Sequence, residues 1–241
     1  MHFAILVEDR SGKKALDNLI PKIVRCDNGA NTFFIHSYKG IGHIPKDLKS
    51  HTEANKRILL DQLPKLLKGF GRTFAGYGSS YKAVVIVVCD LDDKNEHKFL
   101  DELQNLLDAC GDSPPETRFC LATEEGEAWL LGDIPAVRKA YPKARDSVLQ
   151  RYKNDSVCGT WELLADAVYE GGAAALKAKG RQAVGAEKCK WASEITPFMV
   201  AENNNSPSFR RFRTALTTLA DEPSSSSSGV KKAVPMQPMR R

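Results

Sequence analysis

Seven acidic residues sit at places where they could do chemistry together. Glu8 follows the apolar run HFAILV. Asp90, Asp92 and Asp93 close VVIVVCDLDD (84–93), in which five consecutive β-branched residues run into three aspartates. Glu124, Glu125 and Glu127 follow TRFCLAT (117–123). Carboxylates gathered in low dielectric repel one another, and one takes up a proton unless a cation compensates. Hard oxygen donors suit Mg²⁺ or Mn²⁺, which keep several waters and take only a few protein carboxylates. Such a cation polarises a phosphoryl oxygen and makes a bound water more acidic. The competing reading is structural. Asp92 or Asp93 could cap the helix beginning at KNEHKFL, and Glu124 and Glu125 suit a helix N-terminus.

The elements that must position these acids alternate along the first half of the chain. HFAILVE (2–8), TFFIHSYK (32–39), KAVVIVVCD (82–90) and TRFCLAT (117–123) read as strands. GKKALDNLIPKIV (12–24), ANKRILLDQLPKLLKGF (54–70), KFLDELQNLLDAC (98–110) and EEGEAWLLGD (124–133) carry helical spacing, with Pro21 expected to interrupt or end the first. The unbroken apolar run at 83–89 belongs in the middle of a parallel sheet, buried on both faces. This order gives an α/β fold with a mostly parallel sheet flanked by helices. In such a sheet, ligands bind beyond the carboxyl ends of the strands, where all three acidic groups are expected to lie. The expected organisation is an α/β domain over 1–135, a helical C-terminal region over 136–222 and a disordered basic tail over 223–241. Ser206 or Ser208 is available to cap a helix after NNNSPS.

ILVE, VVIVVCDLDD and EEGEAWLLGD, taken in that order, resemble the Toprim-like nuclease families. The Glu-x-Glu-Ala-Trp-Leu-Leu pattern and the late NNNSPSFRRF stretch are more specifically similar to the Toprim-related family described as DUF4276. The resemblance covers most of residues 1–220. It implies a Toprim-like fold and a Mg²⁺-dependent (or Mn²⁺-dependent) phosphodiesterase, a nuclease on DNA or RNA. It also implies an anti-phage or DNA-processing setting with an ABC-type ATPase partner. Under it, Glu8 holds metal or transfers a proton. Asp90 and Asp92 match the Asp-x-Asp ligands, and Glu125 and Glu127 match the later acidic pair. Relatives often carry a second acid four residues after the first glutamate, where this chain has Gly12; Asp9 replaces a usual glycine. That departure leaves one-metal chemistry, a second metal held by Glu125 or Glu127, or a non-catalytic partner or sensor subunit on the same scaffold. A small-molecule phosphatase or nucleotidyl transferase would use the same metal site in a closed pocket.

Arg10, Lys13 and Lys14 follow Glu8 at an expected helix N-terminus, a place that suits phosphate oxygens or simply faces solvent. Lys188, in EKCKWA (187–192), could offset charge developing on a phosphate; it and Lys190 could equally lie on a helix surface. In FRRFR (209–213), the two phenylalanines are expected to pack inward while the arginines face water. There is no GxxxxGK[ST] phosphate loop, no HExxH and no GxSxG. Net charge is +5. Of 35 basic residues four lie after Pro223, where no acid occurs, and the remaining 31 face 30 acidic ones. Global charge therefore does not argue for nucleic acid; a local patch must. Six cysteines without CxxC spacing read as free thiols. No signal peptide or spanning segment is apparent, so the expected location is cytoplasmic, without membrane contact. The partners expected are nucleic acid and an ATPase, with a homo-oligomer left open.

Overall fold

The computed structural model describes residues 1–26, 31–45, 57–78 and 81–221. The expected basic tail, and the start of the helix expected at 54, lie outside them. The core is a four-stranded, all-parallel sheet made of β1 (His2–Val7), β2 (Thr32–Ser37), β3 (Ala83–Asp90) and β4 (Thr117–Ala122), in the order β2-β1-β3-β4. In β1, Phe3, Ile5 and Val7 point to one face and Ala4 and Leu6 to the other. β3 is buried from Ala83 to Cys89 and partly opens only at Asp90. Both faces of these two central strands are covered, which is why their sequences run apolar without alternation.

One face is covered by α2 (Leu59–Gly76) and α3 (Glu96–Asp108), through Leu59, Leu63, Leu67, Phe99 and Leu103. The other is covered by α1 (Arg10–Ile23) and by the helices after the sheet. These are α4 (Glu127–Leu131), α5 (Ile134–Ala140), α6 (Asp146–Leu149), α7 (Thr160–Val168), α8 (Gly172–Ala178), α9 (Arg181–Ile195) and α10 (Pro207–Asp221). Trp129, Trp191, Phe209 and Phe212 join the sheet's own residues in one continuous cluster on this face. Trp161 is half-buried at its margin.

α1 runs through Pro21 and ends at Ile23, beyond the expected break. Leu19, Ile20 and Ile23 are buried on either side of the proline, and their burial outweighs the single hydrogen bond it cannot donate. Lys22 then clamps α1 to the C-terminal helices. Its ammonium donates to the carbonyls of Thr196, Pro197 and Met199 at 2.8, 2.7 and 2.9 Å. Those carbonyls include ones that the end of α9 leaves without intrahelical partners.

α10 begins as expected, with Ser206 Oγ accepting from the Phe209 N–H at 3.1 Å. Asp155 adds a second anchor from a distant loop. Its carboxylate accepts from Ser206 Oγ and from the Ser208 N–H, both at 2.6 Å. In FRRFR, Phe209 and Phe212 are fully buried while Arg211 pairs with Glu96 at the surface. No helix among the described residues is long and apolar enough to cross a membrane.

Candidate active site

The chain leaves β1 toward β2 on one side and later returns to place β3 on the other. The gap between the ends of β1 and β3 is therefore the switch point of the sheet, where open α/β folds bind ligands. Glu8 lies directly after β1, and Asp90 is the last residue of β3. Register pairs Val7 with Val88, so the two acids leave adjacent strands one residue apart in depth. The Asp90 N–H donates to Glu8 Oε2 at 3.2 Å.

These two carboxyls lack sufficient counter-charge. Burial pushes Glu8 up to about 7, opposed by the Asp90 N–H and reinforced by Asp9 and Asp92. Burial also raises Asp90 well above the usual carboxylate range, with Glu8 adding to it and Lys188 opposing.

The third acidic group enters through the loop after β4. α4 starts at Glu127, so Glu125 precedes the helix and is not bound by its periodicity. Both side chains can thus reach one point, although two helical residues two apart would diverge. That point is Lys188 on α9. Its Nζ lies 3.0 Å from Glu127 Oε2 and 3.7 Å from Glu125 Oε1. Against burial, Glu127, Glu125 and Asp90 hold the Lys188 ammonium well above its ordinary range. Burial pushes Glu125 up to about 7, despite Lys188. A small cleft of about 40 Å³, open at its mouth, runs past Glu8, Asp90 and Glu127 over an apolar floor that includes Val88, Trp129 and Ala192.

Other acids in the sequence pattern do different work. Asp92 adopts a left-handed backbone (φ 51°), and its carboxylate turns outward to Lys94 at 2.7 Å. It acts on Glu8 only through space. Asp93 is exposed, and α3 is capped by Asn95, which accepts from the Lys98 N–H at 3.0 Å. Glu124 caps a helix, but not the one that follows it. It accepts from the N–H groups of Cys158, Gly159 and Thr160 at the start of α7. Against burial, those bonds and the Thr160 hydroxyl hold Glu124 below its ordinary range.

At the start of α1, Asp9 is itself the cap, accepting from the Gly12 N–H at 2.7 Å. A carboxylate therefore already occupies the anion position of that helix. Lys13 is engaged with Asp17 at 2.7 Å. Arg10 and Lys14 are exposed, and both act on the thiol of Cys189, the neighbour of Lys188. They therefore flank the α1–α9 side of the site. Lys190 is exposed and pairs with Glu187. Gly12, where the families the sequence resembles often carry an acid, is a point of close approach. A Cβ there would meet Val7 Cγ2 at 2.6 Å, so α1 packs too tightly on β1 for a side chain.

The donor set suits a hard divalent cation that keeps most of its waters. Glu8, Asp90, Glu125 and Glu127 offer only carboxylate oxygens, and the buried Glu127 Oε2 accepts no aligned hydrogen bond. Among the described residues, however, no group of three or more His, Cys, Asp or Glu side chains is already arranged to hold a metal ion. The chain matches no protein-family model, no curated protein and no solved structure.

Proposed function

We propose that the chain is a Mg²⁺- or Mn²⁺-dependent phosphodiesterase acting on DNA or RNA. One observation carries the reading. Glu8 and Asp90 meet at the switch point of a parallel sheet, both short of positive charge, with Lys188 close beside them. A divalent cation bound there would supply Lewis-acid polarisation of a phosphoryl oxygen and a more acidic water. Glu8 and Asp90 would hold it, with Glu127 or Glu125 completing the set. A carboxyl at about 7 that is not bound to the cation, as Glu125 would be when Glu127 completes the set, can hold or release a proton at neutral pH, which suits it to accept one from the attacking water. Lys188 would offset charge on the phosphate oxygens, and Arg10 and Lys14 would guide the backbone to the cleft. An ABC-type ATPase partner and a role in anti-phage defence or DNA processing rest on the family resemblance. A cytoplasmic setting is proposed from the sequence pattern alone.

A second reading is favoured by Gly12 and by the lack, among the described residues, of side chains already arranged to hold a metal ion. The chain would be a non-catalytic subunit that keeps the scaffold and docks on an ATPase. Incubation of plasmid DNA and single-stranded RNA with Mg²⁺ or Mn²⁺, beside Asp90→Asn, separates the two. Metal-dependent cutting lost in the variant supports the enzyme. Metal binding by calorimetry without cutting supports the subunit. Neither binding nor cutting removes the metal reading.

A further inference from the structure

Lys188 is the basis of the inference, which rests on the metal-dependent reading above. Its side chain is 15% exposed and faces Glu127 and Glu125 across 3.0 and 3.7 Å. Asp90 and Glu8 are also near enough to act on it or be acted on by it. Two carboxylates thus hold the ammonium directly, and two more act on it through space. Glu127 is only 3% exposed, yet its Oε2 accepts no aligned hydrogen bond. The contact is held by charge rather than by direction.

In this arrangement the ammonium lodged among the acids is already engaged. An incoming phosphate would meet unpaired carboxylate charge, and the ammonium best placed to receive it is already committed. A divalent cation shared by Glu8, Asp90 and Glu127 changes both conditions together, because it neutralises the carboxylates and frees the ammonium.

We infer that Lys188 is a tethered counter-ion that imposes an order of binding: divalent cation first, phosphate group second, with the ammonium passing from Glu127 to a phosphate oxygen. Linkage makes the effect reciprocal, so phosphate must tighten the cation by the same factor.

The test uses the full chain, with Mg²⁺ alone and inorganic phosphate as probes, read by calorimetry and by ³¹P line broadening. In the wild type, saturating Mg²⁺ should tighten phosphate by about tenfold or more, within the usual range of coupling between sites. Lys188→Met should still bind Mg²⁺ but lose about fivefold or more of that coupling, and Lys188→Arg should retain it. Glu127→Gln loosens the hold on the ammonium, so it should bind phosphate without metal more tightly than the wild type. General damage to the site would not produce that gain. Should Lys188→Met fail to fold, the arginine and glutamine variants decide the matter. Unchanged coupling in Lys188→Met, loss of coupling in Lys188→Arg, or no metal-free gain in Glu127→Gln would overturn the inference while leaving the metal site standing. Failure of the wild type to bind Mg²⁺ in the metal-only titration would overturn both.

Discussion

Glu8 should make the metal-free protein less stable as pH rises through neutrality. In the unfolded chain its carboxyl titrates near 4.5; in the fold, burial moves it to about 7. Between those values the folded state keeps a proton that the unfolded state has lost. Stability therefore falls as pH climbs from 4.5 through about 7, then levels. At about 1.4 kcal/mol for each tenfold change in proton affinity, the loss is about 3 kcal/mol. Asp90 shares in that proton, so this is an order of magnitude for the pair. For a chain of this length the effect is on the order of 5–10 °C in Tm. The perturbation is Glu8→Gln, whose side-chain oxygen can still accept from the Asp90 N–H while carrying no charge. Urea unfolding at intervals from pH 5 to 8.5, in chelator, should show the two proteins equal near pH 5 and the variant ahead at pH 8. Adding Mg²⁺ should recover much of the wild type's loss and little of the variant's. If the wild type holds its stability across this window, or if both proteins lose it in parallel, the carboxyl is not short of counter-charge. The argument for a cation at the switch point would then fail.

Three further outcomes are expected. Gly12→Ala should cost about 1–3 kcal/mol in urea unfolding, because the new methyl meets Val7 Cγ2 at 2.6 Å; a neutral result would mean that α1 is not tightly seated on β1. Asp155→Asn keeps a residue type tolerant of the left-handed backbone (φ 56°) but weakens the anchor of α10, and should cost about 1–2 kcal/mol by the same assay. Phe212→Ala removes a fully buried ring stacked 4.8 Å from Trp129 and should cost about 3–5 kcal/mol, with a visible change in tryptophan fluorescence.

The strands were legible because β1 and β3 are covered on both faces, and unbroken apolar runs are what such strands require. The placement of Glu8 and Asp90 was legible for the same reason: a parallel sheet directs its strand ends to one edge. Other features depended on contacts that no local pattern records. Asp92 looks equivalent to Asp90 in sequence, but a left-handed backbone turns it toward Lys94. Glu124 caps α7, whose start lies 36 residues further on, rather than the adjacent helix. Pro21 read as a break because propensity was weighed without the burial beside it. Lys188 sits among surface-like neighbours in EKCKWA, and only the packing of α9 against α1 and α4 brings it over the acids. Asp155 gave no signal at all, since its partners Ser206 and Ser208 lie some 50 residues away.

The closure of the large core cluster by α9 and α10 has a consequence for synthesis. β1 leaves the ribosome before the other strands of the sheet, yet its neighbour β3 begins 81 residues after it. The cover over Trp129 is complete only when Phe209 and Phe212 have emerged. Until then the nascent chain presents an open apolar face and carries its cluster of acids without the lysine that offsets them. Long-range contacts of this kind make folding slow and leave intermediates exposed to aggregation. A chain stopped before α9 would therefore be a ward of the chaperones, and it would hold Glu8 and Asp90 without the ammonium that moderates them. Any activity of the acidic cluster thus becomes fully equipped only once α9 has emerged.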